Sequence, residues 1–132
     1  MNAVHRNPEA IALGHAALVE MRVIAPSLVF ASILSDDGFE LTHAPDSAID
    51  GGRFASMTSS VQALSEAVTR ELHIGASEYV VIASSNGHVL QMRIPGQPLI
   101  LAALFDTHEM LGKALSTSRR CAELLSTQLR DL

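Results

Sequence analysis

The chain has 132 residues, 48% of them hydrophobic, 17% charged and 4% aromatic, with one cysteine, no tryptophan and a formal net charge of −5. That length predicts one domain, 1–132, able to bury roughly two thirds of its unfolded surface around Leu, Val, Ile, Ala and Met. The composition excludes three classes of structure: basic residues too scattered for a nucleic-acid footprint, a lone Cys121 that allows no internal disulfide or Cys-based zinc cluster, and no apolar run long enough to span a bilayer.

The opening stretch, Met1-Asn2-Ala3-Val4-His5-Arg6-Asn7-Pro8, lacks the apolar core of a secretory leader, so the expected compartment is the cytoplasm. Asn7-Pro8-Glu9 then reads as a helix start: Asn caps free amides, Pro suits the first turn, and Glu meets the positive end of the dipole. Ile11, Ala17, Leu18 and Met21 form its apolar stripe, and the expected helix covers 8–23 before Pro26. Residues 27–34 are apolar on both faces of a strand, so both sides of the sheet are expected to be covered. Asp36-Asp37-Gly38 turns the chain into a return strand, 39–44, and turn residues fill 45–52.

In the second helix Phe54, Met57, Val61, Leu64, Val68 and Leu72 line one side, and about 100° round lies a face of small residues, Ser56, Ser60, Ala63 and Ala67. Gly75 reads as its stop. Three strands are expected next: 79–83, apolar on both faces; 89–94, alternating, with Gln91 and Arg93 opposite Leu90, Met92 and Ile94; and 99–105. Turns at Asn86-Gly87 and Pro95-Gly96-Gln97-Pro98 separate them. Asp106 and Glu109 have the spacing of a capping box. The last helix sets Leu111, Leu115, Ala122, Leu125 and Leu129 against a solvated back of Lys113, Ser116, Arg120, Glu123, Thr127 and Arg130. The order α-β-β-α-β-β-β-α, with tight turns, is an α+β architecture: an antiparallel sheet with helices packed on its faces.

Motifs of catalysis are few. Six histidines (His5, His15, His43, His73, His88, His108) fit no metal-ligand spacing, and His43 with Asp46, the closest pair, reads better as loop residues. There is no Gly-x-Ser-x-Gly elbow, and Gly51-Gly52 does not continue into a P-loop. Asp36 and Asp37 are explained by their turn, Cys121 by packing on the apolar side of the last helix, and Arg53 by the first turn of the second helix rather than as an arginine finger. The expectation is no catalytic residue, no metal and no cofactor; the chain is expected not to be an enzyme.

The run Leu28-Val29-Phe30-Ala31-Ser32-Ile33-Leu34-Ser35-Asp36-Asp37-Gly38-Phe39 resembles the first hairpin of the roadblock/dynein-light-chain family, including its bacterial MglB-like members. The second helix closing on Arg70-Glu71-Leu72 is similar to that family, as is Leu99-Ile100-Leu101-Ala102-Ala103-Leu104-Phe105-Asp106 with Leu111-Gly112. Pro26-Ser27 departs from it, standing where many members have a Gly before the first strand. The resemblance implies a profilin-like sheet of order 2-1-5-4-3, with the second helix on one face and the terminal helices on the other. It also implies a homodimer paired through the third strands, and a role bound to small Ras-like GTPases or as an assembly scaffold.

In that order Tyr79-Val80-Val81-Ile82-Ala83 is an edge strand without Lys, Pro or inward charge, the kind that natural proteins cover or pair. The expected interface is that strand with Ser56, Ser60, Ala63 and Ala67, which would let two helices approach closely; the alternative is that the small face packs on its own sheet. The first functional reading is a non-catalytic regulator of a small Ras-like GTPase, and the second is a scaffold subunit without one. A third is a small-molecule sensor of the PAS or GAF kind, which would need a cavity with convergent polar groups.

Overall fold

The computed structural model describes residues 4–132; residues 1–3, the head of the segment read above for a leader, and the His5 side chain lie outside that description. A short 3-10 turn, Val4–Arg6, leads into α1 (Pro8–Ile24), followed by β1 (Leu28–Ser35), β2 (Glu40–Ala44), α2 (Gly51–Glu71), β3 (Val80–Ser84), β4 (Gly87–Arg93), β5 (Leu99–Phe105) and α3 (Leu111–Leu129). The strands form one antiparallel sheet of order β2-β1-β5-β4-β3, with α2 on one face and α1 and α3 side by side on the other.

The Asn7 side chain accepts from the amides of Glu9 and Ala10 and so starts α1. Replacing it (Asn7→Ala) is expected to cost about 1 kcal/mol in urea unfolding. Ala17, Leu18 and Met21 are buried as the stripe predicts. Gly14 lets α1 settle onto the sheet, because a Cβ there would meet Ile33 Cδ1 and Thr42 Cγ2, each at 3.1 Å. The larger core lies under α1 and α3, around Ile33, Leu90, Met92, Leu101, Phe105 and Leu125. β1 is covered on both faces apart from Val29.

Cys121, in α3, is buried, and burial with the nearby charge of Glu20 pushes its thiol up to about 12. Iodoacetamide at mildly alkaline pH should leave it unmodified in the folded chain and alkylate it in denaturant, as read by intact mass.

Two boundaries differ from expectation. Asp106 and Glu109 do not form a capping box: Asp106 Oδ1 accepts from the amide of His108 at 2.8 Å and Glu109 N donates to the Asp106 carbonyl, closing a separate turn. The helix therefore starts after Met110, without a side-chain cap. At the end of α2 the chain is left-handed already at His73 (φ 54°), directly after the C-cap Leu72, and again at the expected stop Gly75 (φ 94°) two residues on.

Candidate interaction surface

Helix α2 meets the sheet in an arrangement its sequence does not announce. Phe54 and Ala55 pack with Phe30, Leu34, Ile100 and Ala102, and the Phe30 and Phe54 rings meet edge to face at 5.2 Å. Beyond that first turn the buried positions are Thr58 and Gln62. Gln91 of β4, on the side of the strand opposite Leu90, Met92 and Ile94, is only 1% exposed and lies beneath α2; its Nε2 donates to the Thr58 carbonyl at 3.1 Å and to Gln62 Oε1 at 3.0 Å. Gln62 in turn donates to Glu66 Oε2. Arg93 grips the Glu66 carboxylate with two bonds of 3.0 Å and reaches Asp36 with its remaining terminal nitrogen. A two-pronged guanidinium–carboxylate contact fixes direction as well as charge. The middle and end of α2 are thus held on the sheet by a polar layer.

The apolar stripe of α2 consequently turns outward. Met57 is 55% exposed and Leu64 66%, with Val68 and Leu72 also exposed. Only Phe54 of that stripe is buried, because the arc facing the sheet is rotated round the helix from it toward Thr58 and Gln62. Ser65, on the stripe's flank, is hydrogen-bonded to Ser77 in the segment leading to β3. The stripe therefore borders the β3 side of the molecule. Ser56, Ser60, Ala63 and Ala67 are exposed and do not pack on the sheet; Ser56 and its neighbour Ser59 lie close to Gly38, at the tip of the β1–β2 hairpin.

Strand β3 lies at one end of the sheet and pairs only with β4. Val80 and Ile82 stand opposite Gln91 and Val89, on the face that α2 occupies, and Ile82 is 46% exposed. Val81 packs on the core under α3, and Ala83 follows it on that face. Tyr79 sits just ahead of the strand, exposed, with the Arg119 guanidinium 5.9 Å from its ring centroid. The opposite end is built differently. β2 carries Glu40 and His43, joined at 2.9 Å, runs into Pro45, and has the Val4–Arg6 turn packed against it. Charge and proline blunt an edge; β3 has neither.

The other candidates for chemistry are dispersed. His43 stands 3.7 Å from Asp46 as well as contacting Glu40, and its ring packs on Phe30, so it is a half-buried strand residue and not a loop one. Among the described residues no group of three or more His, Cys, Asp or Glu side chains is placed to hold a metal ion. Asp37 accepts from Ser35 Oγ within the hairpin turn, and Arg53 is exposed in the first turn of α2. No helix among the described residues is long and apolar enough to cross a membrane.

This arrangement of sheet and helices superposes on Myxococcus xanthus MglB with a TM-score of 0.86, at 14% identity, over 95% of this chain and 93% of that one. The fold is the roadblock fold. A structure described as MglB with tetrameric arrangement matches with a TM-score of 0.81 and 19% identity, over 92% of this chain and 90% of that one. The Roadblock/LC7 domain from Streptomyces avermitilis matches at 0.74 and 16%, over 88% and 93%. No protein-family model and no curated protein matches the chain. On the roadblock frame the exposed stripe of α2 and the open edge of β3 lie together at one end of the sheet. The sequence points to the strand together with Ser56, Ser60, Ala63 and Ala67 for an interface; the outward position of Met57, Leu64, Val68 and Leu72 was not legible, because their periodicity reads equally well as a core face.

Proposed function

We propose that the protein is a non-catalytic interaction module that forms a homodimer through β3 and α2, and that the dimer binds a small Ras-like GTPase. One observation carries the dimer: a bare apolar edge strand adjoins an outward-facing apolar helix stripe at the same end of the sheet, while the other end is blunted. Antiparallel pairing of two β3 strands about a two-fold satisfies their free backbone groups and sets the α2 stripe of each copy against its partner. Burying Met57, Leu64, Val68 and Ile82 from water supplies the favourable term, at roughly 25 cal/mol per Å² of apolar surface. The small arc of Ser56, Ser60, Ala63 and Ala67 lies behind that contact and stays open in the dimer for a third chain.

The GTPase reading rests on the likeness to roadblock structures and on the family resemblance of the sequence. Its test is direct: a small Ras-like GTPase from the same genome is loaded with a non-hydrolysable GTP analogue or with GDP and titrated with the dimer in a calorimeter. Binding that depends on the nucleotide is expected. Equal binding to both forms, or none, defeats this reading and favours a scaffold that keeps the dimer without the switch. The sensor reading is disfavoured because both faces of the sheet are filled by packed side chains.

A further inference from the structure

A second surface lies at the other end of the molecule. The last three turns of α1 and the end of β2 enclose an open groove of about 580 Å³. His15, Val19, Arg22 and Val23 line its helical wall, and Ala44 and Pro45 stand opposite. Val23 is 75% exposed and Val19 47%, a pair of aliphatic side chains one helical turn apart facing solvent. Arg22 has no ion pair among the described residues, and no carboxylate lines the groove although the chain carries 14 acidic residues against 9 basic. Asp46, beside Pro45 in sequence, is directed to His43.

We propose that this groove docks an acidic amphipathic helix of a partner protein, whose aliphatic side chains lie on Val19 and Val23 and whose carboxylate is taken by Arg22. The shape is that of a helix-in-groove contact: one wall is itself a helix with residues at steps of three and four, and the floor is apolar. Charge complementarity selects the sign, since Arg22 is the guanidinium lining this groove, no carboxylate lines it, and an arginine without an ion pair among the described residues can take a carboxylate through two parallel bonds. The same charge argues against a second copy. A two-fold contact centred on this groove would bring Arg22 of one chain toward Arg22 of the other with no carboxylate in the lining between them, and like charges facing each other are unfavourable. The groove is too open to enclose a small molecule as binding pockets do. It is independent of the pairing through β3, because β2 and β3 are opposite ends of the sheet.

The test uses the full chain, labelled with nitrogen-15, and two synthetic helical probe peptides: one with leucine at every fourth position and glutamate beside each, and one with lysine in place of every glutamate. The expected result is saturable shifts at His15, Val19, Val23 and Ala44 with the acidic peptide alone. Arg22→Glu should weaken that affinity at least ~10-fold. Because Arg22 and Val23 are exposed, the variants keep the dispersion of the folded spectrum, and the dimer-breaking Ile82→Lys chain binds the acidic peptide unchanged. Equal binding of the lysine peptide, shifts confined to α2 and β3, or no shift at about 1 mM peptide would each overturn the proposal. So would self-association beyond a dimer that is lost in Val23→Asp, since the groove would then hold a second copy.

Discussion

Leu64→Glu is expected to weaken self-association by about 100-fold or more, converting a species of twice the chain mass into one of single mass in light scattering at tens of micromolar. Leu64 is two-thirds exposed in the single chain, so the substitution removes nothing from the core and leaves the Tm of the monomeric state close to that of the parent. In the dimer the introduced carboxylate would be desolvated against the partner's stripe, a penalty of about 3 kcal/mol or more for an uncompensated buried charge. Ile82→Lys tests the same contact from the strand, with a cation at the edge acting as natural edge-blocking lysines do. Ala67→Glu, on the arc behind, should leave the dimer intact. If Leu64→Glu and Ile82→Lys both keep the doubled mass, the interface lies elsewhere.

The second large effect concerns the polar layer under α2. Gln91→Leu leaves the Gln62 amide oxygen and the Thr58 carbonyl without the donor they share, in a region closed to water, and should cost about 2 kcal/mol. For a domain of this size that lowers Tm by roughly 6–10 °C. Arg93→Ala should cost less, about 1 kcal/mol, because Arg93 and Glu66 are each about one third exposed and water screens part of their attraction. The two changes share a network through Glu66 and Gln62, so the double variant should lose less than the sum. Equal additivity in thermal unfolding would show that the layer is not coupled.

The same layer sets a pH dependence. Burial raises the pKa of Glu66, but the hydrogen bonds from Gln62 and Arg93 and the charges of Arg93 and Arg70 outweigh it, holding the carboxyl below its usual 4.5. The folded state therefore binds this proton less readily than the unfolded chain. The resulting stability is fully present above the ordinary carboxylate value and is lost as pH falls from there through the depressed one. Glu66→Gln should flatten that part of the curve of unfolding free energy against pH and leave the neutral-pH slope unchanged.

Much of the architecture was legible because local chemistry and the tertiary structure agree. Asn7 caps α1, Asp36-Asp37-Gly38 turns the first hairpin with Gly38 at φ 89°, and the double-sided apolar runs of β1 and β5 lie at the middle of the sheet. The orientation of α2 was not legible. Phe54 belongs both to the apolar stripe and to the arc that meets the sheet, so the start of the helix is consistent with either rotation. What decides between them is Gln91, which lies under α2 and is satisfied by partners 29 and 33 positions away. Periodicity carries no information about such distant pairing. The false capping box has a similar origin: Asp106 satisfies an amide two residues on, in its own turn, before the helix begins.

The asymmetry of the two sheet ends bears on stoichiometry. A subunit that can be extended from one side only is a chain terminator: once two such subunits have joined, neither has a strand left to offer, and growth stops at a closed pair. Unblocking the far strand, by Pro45→Val and Glu40→Val together with removal of the Val4–Arg6 turn packed against it, would turn the same subunit into a bifunctional monomer whose natural product is an open fibre.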